Sequence, residues 1–332
     1  MQTVIDKEAQ AVIRDIEQAL TSAEAVLVVS HVDPDGDAVG TQLAFGRYFK
    51  RLGRRCVMVR DSIIPEKYRF LPDVDQILSL AKVNQAATFD TVLVLECPQA
   101  DRTGGVARYL DAAKTVVNID HHPGNTLAAA VSWVDTTRSS VGEMAFDYFD
   151  GVGFEIDRDM ATQLFTAVLT DTGRFRFEST SPRSLEVAAE LVRAGADPRN
   201  ICDRVYFDQE PEMMALLSRV LETIEFHNDG RICLLKMTKE MLQSTGANLA
   251  NTEGIVDYSL YTKGVQVGAL LREIDGENTK VSLRSRNGYR VDRVATQLNG
   301  GGHPNAAGCR IGLSLDAAAL ELVRLIEADH EK

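Results

Sequence analysis

Apolar residues recur at helical spacing from the start of the chain, at Val4, Ile5, Val12, Ile13, Ile16 and Leu20, and predict a first helix ending near Thr21. An unbroken apolar run over 25–30 then predicts a buried strand. The segment GTQLAFGRYFKRL, 40–52, returns to the helical period with Gly53 as its stop, and 55–59 predicts a second strand. Runs at 91–95 and 115–119 continue as strands. Strands alternating with helices predict a parallel sheet with helices on both faces. Two more helices are expected over 159–170 and 184–194, the latter closed by Gly195.

The pattern changes after that point. Residues 196–211 carry two prolines and many charges, followed by a helical period over 212–224. Beyond it, 231–237, 266–273, 280–286 and 307–312 predict strands and 291–298 a helix. The expected fold is therefore α/β. An N-terminal parallel-sheet domain over 1–195 is joined by a linker and connecting helix, 196–224, to a smaller α/β domain with a mixed sheet over 225–332. The length of 332 residues agrees with two domains.

Charge narrows the partners. With 36 Lys and Arg against 48 Asp and Glu, the formal net charge is −12. Long duplex nucleic acid and anionic membrane are held by neutralising many phosphates across a broad basic face, which this balance argues against. Five cysteines without a C-x-x-C pair suggest neither a disulfide framework nor a zinc knuckle, and a reducing cytoplasm is the expected location. The N-terminus lacks the basic flank and apolar core of a signal peptide, and no run is long and apolar enough for a transmembrane helix.

Candidate chemistry sits where the predicted strands end. The first strand runs into His31-Val-Asp-Pro-Asp-Gly-Asp-Ala-Val-Gly40, placing His31, Asp35 and Asp37 on one turn before a helix. Loops at the carboxyl ends of parallel strands are where ligands bind. Nitrogen and oxygen donors without thiolate suit Mn²⁺ and similar divalent ions. An Asp-rich turn that caps the helix is the competing account. The strand VLVL ends in Glu96, and a carboxylate emerging from a buried strand is costly unless paired or bound to metal. The strand TVVNI ends in Asp120-His121-His122. Asp171 lies at a helix C-terminus, where the dipole disfavours an anion and a compensating cation would help; a C-cap turn at Gly173 is the simpler alternative.

In the second domain, Lys280-Val-Ser-Leu-Arg-Ser-Arg286 alternates so that Ser282, Arg284 and Arg286 share one strand face. The glycine-rich Gly300-Gly-Gly-His303-Pro-Asn-Ala-Ala-Gly308 lets backbone N–H groups approach an anion closely. Arginine grips phosphate through a bidentate fork.

These segments, HVDPDGDAVG, NIDHHPGN, LTDTGRFR, TEGIVDYSLYTKGVQVGALLRE, VSLRSR and GGGHPNAAG, in this order, resemble the DHH phosphoesterase family in its DHHA1-bearing branch. The resemblance implies two divalent cations, Mn²⁺ foremost with Mg²⁺ as the substitute, held by His31, Asp35, Asp37, Glu96, His121 and Asp171. It implies that His122 contacts the scissile phosphate with Asp120 orienting a histidine. It also implies that Arg284, Ser285, Gly301, Gly302 and His303 hold the nucleotide and its terminal phosphate. Glu96 departs from the family's usual aspartate. The activity implied is hydrolysis of short 5′-phosphorylated oligonucleotides to mononucleotides, together with dephosphorylation of 3′-phosphoadenosine 5′-phosphate, by a monomer or homodimer. Two alternatives stay open: a phosphodiesterase of cyclic or linear signalling dinucleotides, and a non-catalytic nucleotide sensor in which Glu96 has altered the metal centre.

Overall fold

The structure, a computed structural model, describes residues 7–84, 87–252 and 254–330. It divides into two compact units, one ending at Asp208 and one beginning at Gln209.

The first unit is built on a six-stranded sheet in which every pairing is parallel. Its strands are β1 (Val26–Val29), β2 (Cys56–Arg60), β3 (Ile77–Ser79), β4 (Thr91–Leu95), β5 (Thr115–Asp120) and β6 (Val131–Val134), in the order β3-β2-β1-β4-β5-β6. Its helices are α1 (Lys7–Ser22), α2 (Gly36–Arg51), α3 (Ala107–Ala112), α4 (Val141–Gly151), α5 (Arg158–Asp171), α6 (Pro182–Arg193) and α7 (Pro198–Cys202). Val4 and Ile5, assigned to the first helix from their spacing, lie outside the described residues. Alternate strand residues feed two cores. Val26, Val28, Leu93, Leu95, Val117 and Ile119 pack with α1, α2, α4 and α5, while Leu27, Val29, Val92 and Val94 pack with Val106, Tyr109 and Leu110. Strands buried on both faces read as continuous apolar runs, which is how β1 and β4 appear in the sequence. The strand order reverses beside β1, so the carboxyl ends of β1 and β4 flank a topological switch point, where open α/β sheets bind ligands.

Two expectations shift. Helix α2 starts at Gly36 rather than Gly40 because Asp35 caps it, accepting a hydrogen bond from the Ala38 N–H at 3.0 Å. Asp37 therefore stands on the first helical turn. Residues 198–207, expected in the linker, form α7 and a following π-helical turn, and Ile201 and Val205 are buried in the first unit's core.

The second unit is a mixed six-stranded sheet in the order β11-β12-β10-β9-β8-β7. Its strands are β7 (Glu225–His227), β8 (Ile232–Met237), β9 (Val267–Asp275), β10 (Asn278–Ser285), β11 (Gly301–His303) and β12 (Ala306–Ile311); β8 and β9 are parallel and the other pairs antiparallel. Helices α10 (Val291–Gln297) and α11 (Leu315–His330) cover one face over Leu234, Leu271, Val281 and Leu283. Helix α8 (Pro211–Leu221), expected in the connector, belongs to this unit: with Ile255 and Val256 it buries Leu235, Met237 and Leu270 on the other face. Helix α9 (Lys239–Thr245) follows β8. Among the described residues, no helix is long and apolar enough to cross a membrane.

Candidate metal centre

The six residues expected as ligands come from five places in the chain and converge at the carboxyl ends of β1, β4 and β5. Ligand atoms of His31, Asp35 and Glu96 lie within 4.8 Å of one another, as do those of Asp37, His121 and Asp171. Helices α2 and α5 approach closely enough to bring Asp35 and Asp37 toward Asp171 because Gly36 lacks a side chain; a Cβ there would sit 2.4 Å from Thr170 Oγ1.

Glu96 joins the two groups. It is fully buried and left-handed (φ 55°), so its carboxylate turns back toward three imidazoles. His31 Nε2 lies 2.5 Å from its Oε2, and His122 Nε2 and His121 Nε2 lie 3.4 and 3.8 Å from its Oε1. His121 Nε2 is also 3.3 Å from Asp171 Oδ2.

Each imidazole is aimed from behind. Nδ1 of His31 faces the Val32 carbonyl at 2.7 Å, Nδ1 of His121 the Arg138 carbonyl at 3.1 Å, and Nδ1 of His122 the Asp120 carboxylate at 2.8 Å. A carbonyl oxygen only accepts, so Nδ1 of His31 and His121 carries a proton and Nε2 is the nitrogen turned to the cluster, the orientation of metal-ligating histidines. Asp120 is itself held by Asn125, whose Nδ2 donates to Asp120 Oδ2 at 2.6 Å and to Asn118 Oδ1 at 2.8 Å. Asn118 donates in turn to the carbonyls of Val94 and Cys97.

The electrostatics ask for a cation. Burial, reinforced by the charges of Asp171 and Glu96, raises the Asp37 carboxyl well above its usual range. Burial pushes Asp171 up to about 7 against the pull of His121, with Asp35 and Glu96 adding to the rise. Burial opposes protonation of His31 and His121, yet Glu96 lifts His31 to about 9, and Asp171 with Glu96 lifts His121. Glu96 is held well below the carboxylate range despite burial, by His31 and His122. Both Glu96 oxygens are buried without a hydrogen-bond donor in good geometry. Four carboxylates and inward-facing imidazole nitrogens in a buried site fit hard or borderline divalent cations, and Asp35 caps α2 while also joining the cluster, so the capping and ligand accounts both hold.

In the second unit, Arg284 is engaged by Asp257, with Nε 3.3 Å from Oδ1. The Ser285 hydroxyl donates to the Tyr289 carbonyl at 2.5 Å and is buried, on the strand face opposite Arg284. Gly301, Gly302 and His303 form β11; a Cβ on Gly302 would meet the Ala306 carbonyl oxygen at 2.5 Å.

Sequence reading passed over α4, whose N-terminus holds Asp37 through the Val141 and Gly142 N–H groups at 2.6 and 2.7 Å. The signal was present: Ser140 caps α4 and Glu143 stands three residues on, the S-x-x-E pattern of a helix start.

Fold and site define a metal-dependent phosphoesterase. Residues 25–170 match the DHH family, N-terminal domain, and residues 232–328 match the DHHA1 domain. The chain is 35% identical over 316 residues to the bifunctional oligoribonuclease and PAP phosphatase NrnA of Thermus thermophilus, covering 94% of this chain and 93% of that protein. It is 26% identical to the protein of the same name from Bacillus subtilis, covering 87% and 90%. The crystal structure of an exopolyphosphatase-related protein from Bacteroides fragilis superposes with a TM-score of 0.90 at 26% identity, covering 96% of each chain. The protein belongs to the DHH family, in its DHHA1-bearing branch.

Proposed function

We infer that the chain hydrolyses short 5′-phosphorylated oligonucleotides to mononucleotides and also removes a phosphate from 3′-phosphoadenosine 5′-phosphate; its similarity to proteins named bifunctional oligoribonuclease and PAP phosphatase supports this reading. The observation that carries the reading is Glu96, a buried carboxylate facing three imidazoles beside three further carboxylates.

In this reading His31, Asp35, Asp37, Glu96, His121 and Asp171 hold two divalent cations, Mn²⁺ in preference to Mg²⁺. When bound, the cations supply positive charge that polarises the phosphoryl group. The chain's own contribution is orientation. Asp120 holds Nδ1 of His122, so Nε2 points into the cluster, where it contacts a phosphate oxygen and holds or releases a proton. Arg284, Ser285, Gly301, Gly302 and His303 bind the nucleotide and its terminal phosphate, Arg284 exchanging Asp257 for phosphate and the glycines offering backbone N–H groups. The first unit is the catalytic domain, the second the substrate domain, and the enzyme works in the cytoplasm.

The test is metal-stripped protein incubated with 5′-phosphorylated diadenylate, with and without Mn²⁺, with AMP release followed by chromatography. Mn²⁺-dependent release is expected. A folded protein that releases no AMP from this substrate, and no phosphate from 3′-phosphoadenosine 5′-phosphate, would refute the reading. Parallel turnover of pGpG and cyclic di-AMP ranks the substrates.

A further inference from the structure

The second unit's sheet carries a charge pattern on the face that α8 covers in part. Lys280 on β10 is paired with Arg310 on β12 to one side and with Arg272 on β9 to the other, so three cations form a single cross-strand row. Directly opposed like charges on a sheet repel. Burial and the neighbouring Arg310 lower the Arg272 pKa, the signature of a cation without compensation.

Five acids of this unit have partners of their own. Glu225 and Asp316 are engaged by Lys236, whose register partner Leu271 faces the α10 and α11 core on the opposite side. Asp257 is engaged by Arg284, Glu273 accepts from the Lys239 N–H, and Asp275 accepts from Asn278 and the Glu277 N–H. Among the described residues, Arg272, Lys280 and Arg310 form no ion pair. A chain of net charge −12 thus leaves three adjacent cations uncompensated on one sheet face.

The surroundings fit an extended anion. Two residues along the strands, Ser282 and Gly308 are paired and give the face a low floor; two further on stand Arg284 and Ala306. Lys280 and Arg284 are four residues apart on one strand, about 13 Å, more than one nucleotide step. Two guanidinium forks beside an ammonium recognise non-bridging phosphate oxygens.

We propose that the Arg272–Lys280–Arg310 row is a binding site for linked phosphates, engaging those of a substrate that extends beyond the nucleotide held at the Arg284 end. This rests on the proposed action on oligonucleotides and adds a length preference to it. The chemistry recognised is a chain of phosphodiesters; inorganic polyphosphate offers similar charge at closer spacing, and the test separates the two.

The variants are Arg310→Gln, at an exposed position, and the triple Arg272→Gln/Lys280→Gln/Arg310→Gln. KM is compared for 5′-phosphorylated diadenylate and tetra-adenylate. The tetra-to-di KM ratio is expected to rise at least fivefold in the triple variant and about twofold in Arg310→Gln. Binding of fluorescently labelled tetra-adenylate in EDTA, read by anisotropy, should lose a salt-dependence slope of about 2, the value for three phosphate contacts on a single strand. Polyphosphate competing more strongly than unlabelled tetra-adenylate would overturn the oligonucleotide assignment. An unchanged length ratio together with an unchanged salt slope overturns the site, and if the triple variant fails to fold, Arg310→Gln alone decides. Wild-type protein that binds tetra-adenylate through the row yet hydrolyses neither substrate would refute the activity while leaving the site standing.

Discussion

The carboxylate of Asp37 is seated on the first turn of α4, with Gly142 donating its N–H to Oδ1 at 2.7 Å and Val141 donating to Oδ2 at 2.6 Å. A helix N-terminus offers free N–H groups and a positive dipole end, so it holds this buried acid in place while its lone pairs still face His121 and Asp171. The seat depends on glycine. A Cβ at 142 would stand 2.6 Å from the Ala167 Cβ and 3.3 Å from Asp37 Oδ1. Gly142→Ala should therefore push α4 off α5, destabilising the fold by about 1–3 kcal/mol as overpacking does. It should also weaken Mn²⁺ binding. Thermal unfolding with and without Mn²⁺ checks both, and an unchanged metal-induced shift in Tm would refute the link to Asp37.

Asn118 connects two parts of the centre that the chain separates. Its amide donates to the carbonyls of Val94 and Cys97 on either side of Glu96, while its Oδ1 accepts from Asn125, which also holds Asp120 behind His122. All four donor and acceptor directions are fixed, because the backbone carbonyls only accept. Asn125→Ala should release Asp120 and lower kcat about 10–100-fold, the usual cost of losing an outer partner, with Mn²⁺ affinity changed less. Asn118→Leu frees both branches and should reduce Mn²⁺ affinity by a similar factor as well. Isothermal titration with Mn²⁺ beside steady-state kinetics separates the two, and equal losses in both quantities for both variants would disprove the branching.

Much of this organisation could be read before the fold was seen, for a physical reason. Strands β1 and β4 are buried along their length and so are apolar runs, β5 is interrupted by Asn118, and the residues that end all three are polar because they leave the core for a ligand-binding edge. Helix α4, VGEMAFDYFDG, was legible too: its acids Glu143, Asp147 and Asp150 recur at i, i+4 and i+7, the helical period. Strand β6, VSWV, is four residues long at a sheet edge, too short for its alternation to register. The start of α2 was displaced by a proline- and glycine-containing segment whose capping by Asp35 only geometry reveals. The roles of Asn118 and Asn125 depend on which carbonyls the sheet brings beside them, and no local pattern encodes that. The pairing of Arg284 with Asp257 likewise joins residues 27 positions apart.

Glu96 is where sequence and structure bear on each other most directly. Its extra methylene is accommodated by the left-handed backbone, which folds the carboxylate back onto His31 and His122. Glu96→Gln keeps the shape and removes the charge that lifts His31, so it should abolish Mn²⁺-dependent turnover, with a loss of at least about 100-fold in metal affinity or activity. Glu96→Asp shortens the reach by about one C–C bond, roughly 1.5 Å, and should keep metal binding while weakening it. Metal content after dialysis and turnover of 5′-phosphorylated diadenylate measure both. Activity appearing only in Glu96→Asp, from an inert parent, would establish the sensor alternative instead.

The protonation of the metal-free centre sets a pH dependence with a definite sign. Asp37 and Asp171 have pKa values above those of an unfolded chain, Asp171 at about 7, and His31 and His121 are raised as well, His31 to about 9. A group raised on folding binds its proton more tightly in the native state, so the stability it contributes is complete below its unfolded pKa and lost as pH rises through its folded one. For Asp171 that window runs from about pH 4 to 7, and for His31 from about 6.5 to 9. Glu96 has the opposite sign: held low, it contributes stability above the ordinary glutamate pKa and loses it only in acid, outside the range that matters here. Between pH 6 and 8 the metal-free centre should therefore destabilise the fold progressively. A divalent cation displaces those protons, so its binding strengthens as pH rises. The Mn²⁺-induced increase in Tm should grow steadily from pH 6 to pH 8 in differential scanning fluorimetry. A shift that stays flat or shrinks over that interval would mean that the protons held by Asp171 and His31 are not the ones the cation replaces.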